Sequence, residues 1–185
     1  GWYGPIGSES APIILYFDSV GRHDLARRSL QFFLDMQRPD GFIQTYAHYM
    51  IETSAAAWVA AEHYRYTRDQ AWAGKIAPKL IKACDYLIAW RRRNQVEELR
   101  GKGYGLIEGA VGDPLDPTRY YFNSGYACAA LRGVAEMLRD IDPAKAAEFG
   151  CEAAAFAADI RLSVEQELAR SPVVPLGDGT WCPTM

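Results

Sequence analysis

The chain has 185 residues, 49% of them apolar, and a formal net charge of −3. One domain's length with material for a sizeable core is implied. Bulk charge is too small to drive a nucleic-acid or membrane-surface role, and no apolar run of ~18 residues exists to span a bilayer.

In chain order, the pattern reads as three helical hairpins. Three short polar turns divide them: Gly21-Arg22-His23-Asp24, Tyr66-Thr67-Arg68-Asp69 and Asp140-Ile141-Asp142-Pro143. Before each turn lies a helix of small and aromatic residues, over about 10–20, 52–66 and 124–139. After each lies a longer, more charged one, over about 24–37, 70–94 and 143–170. Trp72, Ile76, Leu80, Ala83 and Leu87 recur at steps of three and four, as do Phe149, Ala153, Phe156, Ile160 and Val164, the spacing of one helical face. Asp142-Pro143 is an N-cap followed by proline at the first helical position.

The first helix of each pair is greasy around most of its circumference, as in Ser54–Ala61 and Ser124–Leu131. Such helices are buried on all sides. An inner ring of first helices and an outer ring of second helices follow, with Trp58 and Ala130 buried and Lys75, Lys79 and Lys82 exposed. The connections from outer to inner helices are long: 38–51, 95–123 and 171 onward. Loops of that length are usually functional, and up-down alternation brings all three to one end. Each contains a glycine turn leading to a brief extended segment: Gly41-Phe42-Ile43, Gly105-Leu106-Ile107 and Gly179-Thr180-Trp181.

The cysteines, Cys84, Cys128, Cys151 and Cys182, form no C-x-x-C pair, so neither a zinc ribbon nor a thioredoxin-like site is indicated. The first three fall among Ala and Leu in helical pattern and are expected as buried free thiols. His23, His48 and His63 have no spacing that suits a metal, and no metal or cofactor is expected. The chain starts at Gly1-Trp2 without an initiator Met and stops in a loop-like segment. A piece of a longer protein is the expectation, and either a cytoplasmic or a secreted location stays open.

With the hairpin rhythm, Met36–Ile43 closing an outer helix, and Tyr104-Gly105-Leu106-Ile107-Glu108 followed by Tyr120-Tyr121-Phe122-Asn123-Ser124, the chain resembles the six-hairpin glycosidase superfamily, in a glucoamylase-like pattern. The resemblance implies an all-α fold in which residues 1–185 are one segment of an α/α toroid. Three hairpins are half of the family's six, so the ring is incomplete. It also implies a glycoside hydrolase using carboxylate acid–base chemistry, with Glu108 in the general acid's place. Gly109 stands where the family has a second acidic residue.

Glycoside hydrolysis needs two carboxyls flanking the bond. The loop 103–123 offers Glu108, Asp113 and Asp116, although Asp-Pro pairs are also turn formers. Glu52 and, one hairpin earlier, Glu9 stand where they either complement a helix dipole or bind sugar. Trp2, Tyr46, Tyr120, Tyr121 and Trp181 supply aromatic faces for sugar rings, while His48 and Asn123 lie among them as further substrate-binding candidates. The expected partners are an oligo- or polysaccharide and, for an open arc, a second copy or the missing half of the ring. Two rival readings remain. One is a polysaccharide lyase or sugar epimerase on a similar ring, using Tyr46, His48 and Tyr49. The other is a non-catalytic hairpin module that binds through its concave face.

Overall fold

A computed structural model of the chain describes residues 5–46, 49–111 and 118–184. Among these residues there are six α-helices, one turn of 3₁₀ helix at Glu97–Leu99 and one small strand pair. The helices are α1 (Gly7–Ser19), α2 (His23–Asp35), α3 (Glu52–Thr67), α4 (Gln70–Arg93), α5 (Tyr121–Met137) and α6 (Pro143–Arg170). Each consecutive pair packs together. The helices α1, α3 and α5 lie side by side, with α3 in the middle. Behind them, α2 packs on α1 and α3, α4 on α3 and α5, and α6 on α5. The described residues show two layers and no closed ring.

Local chemistry explains the boundaries. Asp69 caps α4 by accepting from the Trp72 N–H at 2.9 Å, and Asp142 caps α6 by accepting from Lys145 at 3.0 Å. A capping carboxylate satisfies one of the otherwise orphaned first-turn donors. Arg68, in the left-handed region at φ 52°, reverses the chain between α3 and α4. The alanine-rich α3 is buried over nearly its whole surface because four other helices surround it. At its crossing with α5, a Cβ on Gly133 would come within 2.8 Å of the Ala61 Cβ, so the two helices approach closely where there is no side chain.

Several expectations need correction. Helix α1 begins at Gly7 and α5 at Tyr121, each three residues earlier than the apolar pattern places them. Trp58 is only partly buried, with its ring edge-on to Tyr126 at 5.2 Å; nothing among the described residues covers that side of α3 fully. Lys79 is half-buried, since its ammonium donates to the Leu34 carbonyl at the end of α2. Only Cys84 is a buried thiol; Cys128 on α5 is intermediate, and Cys151 is exposed on the outer helix α6. Of the three glycine-led segments, only the last forms strand. Val173–Pro175 (β1) pairs antiparallel with Trp181–Pro183 (β2), with Val174 opposite Cys182, and every residue of the pair is exposed.

Candidate functional site

The long connections gather at the end formed by the N-termini of α1, α3 and α5. Two of them are pinned in the same way. Ile43 donates its N–H to Thr53 Oγ1 at 2.8 Å, and Ile107 donates to Ser124 Oγ at 3.1 Å. Each isoleucine follows a glycine turn, and each hydroxyl lies in the first turns of an inner helix. The register that results is a repeat. Gln44 matches Glu108, each following its isoleucine, and Glu52 matches Asn123, each preceding its hydroxyl residue. The two loops also touch, through a Met50 N–H to Ala110 carbonyl bond of 2.9 Å.

The matched positions carry different chemistry. Glu52 is fully buried and its carboxylate is spent on the protein. One oxygen accepts from the Gly7 N–H at 3.0 Å, the other from the Tyr46 N–H at 3.1 Å, and the Thr45 amide and hydroxyl bond to it as well. Asn123 is equally buried, yet neither its Nδ2 nor its Oδ1 has a partner among the described residues. Gln44 gives its amide to the Tyr49 carbonyl at 3.0 Å. Glu108, half-buried, receives the Asn94 Nδ2 on Oε2, while its Oε1 accepts nothing among the described residues. Asn94 stands at the C-terminal end of α4. It also donates to the Leu106 carbonyl at 2.8 Å and accepts from Arg119 at 3.3 Å. Among the described residues, Glu108 is thus held at one oxygen only.

The remaining candidates are spread around this end. Glu9 is exposed on α1. Tyr46 is exposed and stands edge-on to Tyr49, with ring centroids 5.1 Å apart. Tyr120 is half-buried, and Tyr121 shares a hydrogen bond of 3.0 Å with Ser163 of α6. Trp181 is 64% exposed on β2. Trp2, His48, Asp113 and Asp116 lie outside the described residues.

At the opposite end, the short turns bring together a group that sequence spacing does not reveal. Asp18 at the end of α1 is buried and faces two imidazoles. His23 Nδ1 lies 2.7 Å from its Oδ1, and His63 Nδ1 lies 2.8 and 2.9 Å from its two oxygens. Burial holds His63 below the usual histidine range, against the opposing pull of the Asp18 carboxylate. Arg27 donates from Nε to His63 Nε2 at 3.4 Å and makes a 2.8 Å ion pair with Asp69. Asp18 and His63 are 45 positions apart, so only the packing of α1 on α3 joins them. A buried aspartate at the foot of a greasy helix was the one available signal.

Compared with known proteins, the chain matches no protein-family model, no curated protein and no solved structure.

Proposed function

We propose that the chain is an arc of an α/α toroid and acts on carbohydrate as a glycoside hydrolase, with Glu108 as general acid. One observation carries this reading. In a repeated loop-to-helix scaffold, the second copy replaces a protein-bonded amide with a carboxyl group, one oxygen of which has no partner among the described residues. At the matched helix position, the buried glutamate of the first copy is replaced by an asparagine whose amide has no partner among the described residues. A carboxyl positioned by Asn94 suits protonation of a glycosidic oxygen. Glu52 is spent on backbone donors, so the second carboxyl falls to Asp113, Asp116 or a group on the completing part of the ring. The bare flank of α1 and α2, with Ile13, Tyr16, Val20 and Phe32 exposed, is the edge on which further hairpins or a second copy would pack.

The paired rings of Tyr46 and Tyr49 favour one rival, a lyase that abstracts a proton through tyrosine. An oligosaccharide panel separates the readings. A hydrolase releases reducing ends, a lyase releases products that absorb in the ultraviolet, and a binding module turns over nothing. For the hydrolase, Glu108→Gln lowers kcat on poor leaving groups by about 10²–10⁴, the usual share of general acid catalysis. Activated aryl glycosides lose far less, because their leaving oxygen needs little protonation. Equal activity of Glu108→Gln and the unmodified protein on an ordinary oligosaccharide would remove Glu108 from the reaction.

A further inference from the structure

The end of the molecule opposite Glu108 has its own chemistry. Asp18, His23 and His63 come from α1, α2 and α3, and each offers one ligand atom within 4.8 Å of the other two. We propose that these three side chains bind a divalent transition-metal ion, with zinc the best match, and that the ion ties the three helices together. Two imidazoles and one carboxylate form a donor set for zinc, with water as the fourth ligand. Zinc bonds of about 2.0–2.2 Å put tetrahedral donors roughly 3.3 Å apart. The observed hydrogen-bonded separations of 2.7 and 2.8 Å therefore need to open by roughly half an ångström. Access exists on the His23 side, where that side chain is 39% exposed. There it borders a groove of about 620 Å³ shared with Asp24, Arg27, Arg28 and Gln31.

Arg27 sets the strength of the site. Its Nε–H points at His63 Nε2, which keeps the His63 proton on Nδ1, the atom the metal needs. Loading moves that proton to Nε2, where it meets the Arg27 donor. A metal-bound histidine instead requires an acceptor at its second nitrogen. Arg27 can turn away, because Asp69 at 2.8 Å and the face of Trp72 at 5.3 Å already hold it. It therefore weakens the site without closing it, and replacing it with a side chain that can accept the Nε2 proton should tighten metal binding.

The test uses the full chain carrying Cys151→Ser and Cys182→Ser, since those exposed thiols would bind zinc independently. After stripping with a chelator, zinc is titrated against a chromophoric competitor, and cobalt is added in parallel for its visible absorption. The expected result is one saturable equivalent, a tetrahedral cobalt spectrum and a rise in Tm on loading. His23→Ala removes an accessible ligand and should weaken binding at least tenfold while circular dichroism stays helical. If that variant fails to fold, His23→Gln takes its place. Arg27→Gln should tighten binding, whereas His48→Ala should leave it unchanged. The proposal is overturned by the absence of saturable zinc binding below millimolar concentration, or by equal affinity in the His23 variant. Weaker binding in Arg27→Gln also counts against it.

Discussion

Glu52 and His63 are both buried in α3, one near each end, and each is held by partners from α1. Their burial is compensated differently. The Glu52 carboxylate receives several donors, whereas His63 pays desolvation that Asp18 only partly offsets. Its folded-state pKa lies below that of the unfolded chain, so the unfolded chain takes up the proton first. Stability from this group is complete above about pH 6.5 and is lost as pH falls through the lowered value. The slope is at most about 1.4 kcal/mol per pH unit for one proton. Thermal melts in a chelating buffer between about pH 7 and 5 should show Tm falling. His63→Gln should flatten that slope even though it lowers Tm at pH 7. An unchanged slope in the variant would assign the titration elsewhere.

At the scale of elements, α3 and α5 meet through Gly133 and Ala61, while Gly74 on α4 faces open space. The same substitution should therefore stabilise at Gly74 and fail to stabilise at Gly133. Gly74→Ala gains helix propensity, about 0.8–1 kcal/mol. Gly133→Ala makes that gain but overpacks the crossing, which costs about 1–3 kcal/mol, so it should be neutral or destabilising. Chemical denaturation of the two variants side by side checks the order. The outer helices are joined differently: Arg91, buried near the end of α4, pairs with Glu152 and Asp159 of α6 and lies over Phe156. The arginines at 91–93 fit the helix dipole as a sequence, but Arg91 is chiefly a clasp. Helix pairing and the capped starts of α4 and α6 were legible because apolar period and caps are local signals, whereas the uncapped starts of α1 and α5 were read three residues late. The exposure of Trp58 and Cys151 was not, since it depends on which neighbours a helix has. Glu108 could be singled out from its motif, but its hold on Asn94 and the matching of Glu52 with Asn123 required the folded loops. The meeting of Asp18 with His23 and His63 was likewise invisible, because a contact between positions 45 apart leaves no periodic trace.

For the whole molecule, the two layers leave an apolar edge. Ile13, Tyr16, Val20 and Phe32 project from α1 and α2, around a groove lined by Pro5, Ile14 and Phe33. Apolar surface concentrated in this way seeks cover. In solution the chain should associate, with a mass by light scattering that rises with concentration, and Ile13→Lys with Tyr16→Lys should return it to monomer. A single monomeric mass at all concentrations, together with full turnover of an oligosaccharide, would contradict both the edge and the incomplete ring.

The bond from Gly7 to Glu52 also bears on how the chain is made. The N–H that opens α1 waits for an acceptor 45 residues later. During synthesis the first hairpin therefore emerges with a frayed start and its aspartate, Asp18, still lacking His63. Both ends of α1 are secured by α3, the N-terminus by its first residue and the C-terminus by a histidine in its last turns. Helix α1 is thus completed only after α3 has been translated. The N-terminal hairpin on its own is accordingly a poor unit for truncation, whereas α1 through α3 is the shortest span that contains all of these partners.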